Sequence, residues 1–167
     1  MSDYQKFLPE GIPDSHLPFW DSLREHQARV QRCDDCGTYR YIPKELCPRC
    51  HSDRATWTAV SGAGEVYTYT VVRRAPTPAY QADVPYVLAH VTMAEGFRMI
   101  ARLTGTEPEA VRIGMPVVIG YEDVTPEWTL LAFRPASPAA QPAQTQPAQT
   151  QPAQTQPAQT RGEATGS

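Results

Sequence analysis

Cysteine is absent from this 167-residue chain except at Cys33, Cys36, Cys47 and Cys50. If one centre takes all four, no thiol is left for a disulfide elsewhere or for a catalytic nucleophile. No window approaches the roughly 20 consecutive apolar residues of a membrane-spanning helix. The start, MSDYQKFLPE, has acids where a secretory signal has its apolar segment, so the cytosol is the expected compartment. Positive charge is short as well: 15 Lys and Arg against 18 Asp and Glu give a formal charge of -3. Four thiolates around zinc would deepen that to about -5. A general electrostatic grip on nucleic acid is therefore not expected. Arg24, Arg29, Arg32, Arg40, Lys44, Arg49 and Arg54 surround the cysteines, but Glu25, Asp34, Asp35, Glu45 and Asp53 offset them. No phosphate loop, dinucleotide fingerprint, Ser-His-Asp order or HExxH motif is found.

What the chain does have is CDDC, ten residues, then CPRC. Two C-x2-C pairs let neighbouring thiolates converge on a tetrahedral ion from two knuckles. Gly37, just after the second cysteine, suits a tight turn whose N–H groups point at sulfur. The expected ion is structural zinc. Ligand spacing alone also admits a rubredoxin-type mononuclear iron, and a disulfide framework is disfavoured because no secretory segment is evident. His51 abuts Cys50 but is not needed, since four sulfurs satisfy the ion. A closed tetrathiolate has no open position at which to activate water.

The rest of the chain falls into zones. Residues 1–17 form a Pro-punctuated leader. An amphipathic helix is expected over 18–31, with Pro18 in its first turn and Phe19, Leu23, His26 and Val30 on one stripe. The ribbon occupies 32–55. Residues 56–136 hold strand-like segments, the longest being GEVYTYTVVRR, whose alternation places Val66, Thr68, Thr70 and Val72 on one face. A hairpin turn is expected at Glu95-Gly96. Five principal strands suit a small OB-like barrel. Residues 137–167 contain QPAQT four times and are expected to be a disordered tail, since no repeat residue larger than alanine is apolar. The fold class is thus mainly β: helix, four-cysteine ribbon, five-stranded barrel and tail.

Candidates for chemistry outside the cysteines are few. Arg73 and Arg74 close the long strand beside a Pro-rich loop, 75–83, and could grip phosphate; Tyr80 and Tyr86 could line a groove there. Arg98, Arg102 and Arg112 are weaker candidates. His90 reads as a barrel histidine rather than a general base. Binding is favoured over catalysis.

The residues FW, QRCDDCGTYRYIPKELCPRC, SGAGEVYTYTVV, VPYVLAHVTMAEGFRM, VRIGMPV and FRP, spread from Phe19 to Pro135, resemble one family. It comprises small proteins that pair a rubredoxin-like zinc ribbon with an OB-fold and accompany thiolase-superfamily enzymes. The resemblance implies that Cys33, Cys36, Cys47 and Cys50 are zinc ligands. It also implies a hetero-oligomer whose catalytic residues lie on a thiolase-like partner, this chain helping to form the channel for a CoA thioester. The expected reaction is retro-aldol cleavage of a β-hydroxy acyl-CoA such as a steroid side-chain thioester, with thiolysis or acyl transfer as the alternative. Arg73, Arg74 and Tyr80 are the CoA contacts expected on local grounds. A free-standing nucleic-acid module, or a thioesterase using His90, would be a reading from a different class.

Overall fold

Residues 4–136 are described by the computed structural model. The expectation for the QPAQT tail lies outside the described residues.

Pro18 stands in the first turn of helix α1 (Leu17–Arg24), and Phe19 and Leu23, four apart, bury one side of it. The helix is shorter than the apolar spacing predicts. The chain leaves it at His26, whose φ is 53°. There the His26 N–H bonds the Leu23 carbonyl at 2.9 Å and the Gln27 N–H bonds the Ser22 carbonyl at 3.0 Å. This pair of bonds closes a left-handed helix end, a place more often given to glycine. The expected helix over 18–31 is corrected accordingly: Val30 is buried in strand β1 (Arg29–Cys33), not on a helical stripe. Ser22 secures the change of direction, donating to the Phe19 carbonyl at 2.6 Å and accepting from the Arg29 N–H at 3.0 Å.

Strand β1 is the centre of a three-stranded antiparallel sheet, flanked by β2 (Tyr39–Arg40) and β3 (Ala55–Ala59). Five further strands close a barrel: β4 (Ala63–Val72), β5 (Tyr86–Met93), β6 (Arg98–Leu103), β7 (Pro116–Asp123) and β8 (Thr129–Pro135). Their order around the barrel is β4-β5-β6-β8-β7. All pairs are antiparallel except β6 with β8, where Leu103 meets Phe133. That is the five-stranded Greek-key closure of an OB-fold. The turn at Glu95-Gly96 joins β5 to β6 as expected, the Gly96 N–H bonding the Met93 carbonyl at 2.9 Å.

The alternation expected along β4 holds only in part. A bulge between Val66 and Thr68 shifts the register against β5. One extra residue exchanges the two faces beyond it. Val66 therefore shares the core side with Tyr69 and Val71, while Thr68 and Thr70 face out and Tyr67 is exposed. Gly64 answers a different need. A Cβ there would lie 2.6 Å from Val91 Cγ1 and 2.7 Å from the Thr92 carbonyl, so only glycine lets β4 approach β5 at that point.

Phe19, Leu23 and Ala28 join Val87, Val91, Met99 and Phe133 in one buried cluster, so the helix stoppers the barrel. An aromatic seam attaches the ribbon. Phe19 meets Tyr41 edge-on at 5.9 Å, Tyr39 stacks on Phe97 at 5.0 Å, and Trp20 meets Trp128 at 5.7 Å.

Candidate metal centre and neighbouring sites

The two cysteine pairs sit on matching turns. At the first, the Gly37 N–H bonds the Cys33 carbonyl at 2.9 Å and the Cys33 N–H bonds the Thr38 carbonyl at 2.9 Å; at the second, His51 bonds Cys47 at 2.9 Å and Cys47 bonds Ser52 at 2.8 Å. Gly37 and His51 both take positive φ, 71° and 60°. His51 is thus a turn residue, exposed and placed as Gly37 is.

All four sulfurs lie within 4.8 Å of one another. Cys33 and Cys50 are 3.5 Å apart, as are Cys36 and Cys47. A tetrahedral ion with metal–sulfur bonds of about 2.3 Å requires sulfur separations of about 3.8 Å, so the cluster fits zinc with small adjustments. None of the four is in a disulfide. Burial pushes the Cys33 thiol up, but the N–H groups of Cys36 and Asp35 and the Arg40 guanidinium outweigh it and bring the thiol down to about 6. Cys47 is lowered too: burial opposes ionisation, and the N–H groups of Arg49 and Cys50 overcome it. At Cys50 the backbone of Ser52 pulls downward, yet crowding by the other sulfurs, Cys36 foremost, leaves it at about 12. Such crowded thiols cannot all ionise together unless a cation sits among them.

Arg40 was grouped in the sequence with six other basic residues near the cysteines. It is instead 1% exposed. Its Nη1 donates to the carbonyls of Lys44, Glu45 and Asp53 at 3.4, 3.2 and 3.3 Å, and its Nη2 to those of Ser52 and Arg54 at 2.8 and 2.7 Å. Burial works against its charge, but the Cys33 and Cys47 sulfurs beside it raise its pKa.

The phosphate and CoA candidates are distributed over two places. Arg73 and Arg74 are exposed just past β4, where Arg73 reaches Glu109 at 3.5 Å. Tyr80 ends a single turn of 3-10 helix (Pro78–Tyr80), with its ring 6.4 Å from Tyr86 and Lys6 Nζ 5.6 Å from its centre. Asp83 ties this group together, bonding Lys6 at 2.6 Å and Arg102 at 3.3 Å, while Arg102 covers Tyr86 at 5.1 Å. Lys6 was missed in the sequence because a leader residue carries no periodicity to show what it packs against. His90, half-buried on β5, meets the edge of Tyr67 at 6.2 Å.

A further pairing had no sequence signal. His26 Nε2 lies 2.9 and 3.1 Å from the two carboxylate oxygens of Asp123, which also accepts from the Thr129 hydroxyl at 2.6 Å. The imidazole stacks on Tyr121 at 5.0 Å, only 7° from parallel. Asp123 is held below the usual carboxylate range, first by the Thr129 hydroxyl and then by His26. His26, Asp123 and Thr129 border an open cleft of about 820 Å³ that also includes Asp21, Arg24 and Glu25. No cysteine lines it, nor do Arg73, Arg74 or Tyr80.

Residues 20–55 match the family described as ChsH2, rubredoxin-like zinc ribbon domain, and residues 57–122 match ChsH2, C-terminal OB-fold domain. The chain is similar to a probable enoyl-CoA hydratase alpha subunit of Thermomonospora curvata, 40% identical over 121 residues, covering 72% of this chain and 37% of that protein. It is also similar to the 3-oxo-4,17-pregnadiene-20-carboxyl-CoA hydratase alpha subunit of Mycobacterium tuberculosis, 37% identical over 148 residues, covering 78% of this chain and 46% of that one. The chain thus spans less than half the length of either hydratase subunit. A solved structure described as Ltp2-ChsH2(DUF35) aldolase superposes with a TM-score of 0.69 at 36% identity, covering 76% of this chain and 98% of that one.

Proposed function

Because the chain belongs to the ChsH2 family of joined zinc-ribbon and OB-fold proteins, we propose that it is an accessory subunit of an acyl-CoA-processing hetero-complex whose catalytic residues lie on a thiolase-like partner. The observation that carries this reading is the 98% coverage of the aldolase-complex chain at 36% identity. The cysteine inventory agrees with it: with all four thiols in one cluster, none remains to act as a thiolase-type nucleophile. Cys33, Cys36, Cys47 and Cys50 hold a structural zinc ion, which supplies a cross-link between the two knuckles and no open position for substrate.

The reaction that fits best is retro-aldol cleavage of a β-hydroxy acyl-CoA, a steroid side-chain thioester being the favoured class. A base removes the β-hydroxyl proton, the Cα–Cβ bond breaks to give a carbonyl product, and the electron pair passes to a thioester enolate that is then protonated. Base and proton donor belong to the partner. This chain holds the assembly and lines the substrate channel, with Arg73 and Arg74 available to CoA phosphates and Tyr80 to an aromatic or apolar part of the ligand. A second reading, service in a hydratase, is favoured by the names of the two longer relatives.

Co-expression of the untagged chain with a thiolase-like protein from the same genome, followed by native mass spectrometry, tests the assembly. A stable hetero-complex is expected, with turnover of β-hydroxy acyl-CoA only when both chains are present. Release of a carbonyl product marks cleavage; gain of water by an enoyl-CoA marks the hydratase reading. A partner fully active alone, with unchanged CoA-ester affinity, would sink the proposal.

A further inference from the structure

A fully buried guanidinium normally sits opposite a carboxylate, because an unpaired charge is costly away from water. Arg40 forms no salt bridge among the described residues. The nearby acids are engaged elsewhere: Asp35 pairs with Arg54, and Asp34 accepts from Thr56 at 2.9 Å. What Arg40 bonds is five backbone carbonyls, all in the segments that flank Cys47 and Cys50, and the sulfurs of Cys33 and Cys47 act on its charge. Its Nε has no hydrogen-bond partner. Carbonyls solvate a cation but do not neutralise it. The anions that act on it are the thiolates of Cys33 and Cys47 and, more weakly, the Asp35 carboxylate that Arg54 already pairs with.

The reverse holds for the metal. Zinc with four thiolates carries about -2, and half of this site is buried: Cys33 and Cys47 are closed off from solvent. One buried guanidinium would bring the centre to about -1. The same side chain holds the carbonyls of residues 52–54, which follow directly on the second cysteine pair, and those of 44 and 45, which lead into it. Charge and geometry therefore act on the same knuckle.

We propose that Arg40 is the internal counter-ion of the cysteine centre and the residue that positions its second knuckle, so that metal retention depends on it. This rests on the reading of the four cysteines as metal ligands, and the two are tested separately. Elemental analysis of the purified parent chain tests the ligands: one zinc per chain is expected, and none would overturn both. The Arg40 proposal is tested by competition with a chromogenic chelator on Arg40→Met and Arg40→Lys, with near-ultraviolet dichroism of the tryptophans confirming a native barrel. Arg40→Met is expected to bind zinc about 10–100-fold more weakly, the range for removing a partner of a metal ligand. Arg40→Lys keeps the charge without the fork and is expected to lose less. A loss under about threefold in Arg40→Met, far below that range, overturns the proposal, as does an equal loss in both variants. Should Arg40→Met fail to fold, the parent itself decides. Exchange of zinc for cadmium is expected to shift the Arg40 side-chain N–H resonances, and resonances unmoved by the exchange would overturn the assignment.

Discussion

His26 lies flat against Tyr121 and shares both oxygens of Asp123, so one imidazole ties the end of α1 to strand β7. It does so from a left-handed backbone position that a side chain occupies at a cost of about 1–2 kcal/mol. The ring contacts must offset that cost. His26→Ala keeps the strain and loses the contacts, whereas His26→Gly loses both. In urea unfolding, His26→Gly is expected to be more stable than His26→Ala by about 1 kcal/mol. Equal midpoints would show that the left-handed turn is not strained.

Asp123 also sets an acid limb. Its folded pKa is depressed below 3.8, so its contribution is present above that value and is lost as pH falls through the lower folded value. Asp35 is depressed too, by Ser52 and then Arg54, and adds to the same window. Thermal midpoints of Asp123→Asn and the parent are expected to differ by a constant amount above about pH 5 and to converge below about pH 3. A gap that persists in acid would assign the difference to packing.

Cys47 is wholly buried among its neighbours. Cys47→Ser is expected to lower zinc affinity by more than about 100-fold, beyond the effect of losing a residue that merely supports a ligand. The sheet formed by β1, β2 and β3 should loosen and complex formation weaken, while no chemical step is lost from the partner. Elemental analysis and co-purification check this; full zinc with an intact complex would contradict it.

Gly64→Ala places a methyl group against Val91 and the Thr92 carbonyl. Both neighbours belong to the closed barrel, and the backbone atom cannot rotate away. A loss of about 1–3 kcal/mol is expected from calorimetry, the range for overpacking. Little change would mean that β4 and β5 can separate at this end without opening the barrel.

The cysteine centre was legible because C-x2-C is local: spacing of two residues brings thiolates together whatever the rest of the chain does. The barrel was legible through strand alternation and the Glu95-Gly96 turn. Two local events were hidden. The helix end at His26 carries none of the usual glycine signal, and the bulge at Tyr67 leaves the residue types on β4 unchanged while exchanging the faces they occupy. Arg40 was opaque for another reason. Its burial depends on residues 44–54 folding over it, and in sequence it is one arginine among several. Lys6 and Asp83 meet only because the leader returns to the loop beyond Tyr80, a distance that no short pattern spans.

Phe19, Leu23 and Ala28 belong to the same buried cluster as Phe133 and Met99. The boundary near residue 56, natural as a division of sequence, is therefore not a line along which the protein can be cut. Excising the ribbon with its helix would strip the barrel of its plug, and expressing the ribbon alone would leave those apolar groups in water. The helix and the barrel share one core and are expected to unfold together, and since β1 follows directly on Ala28, stripping the cysteine centre is expected to lower the melting temperature of the barrel strands as well.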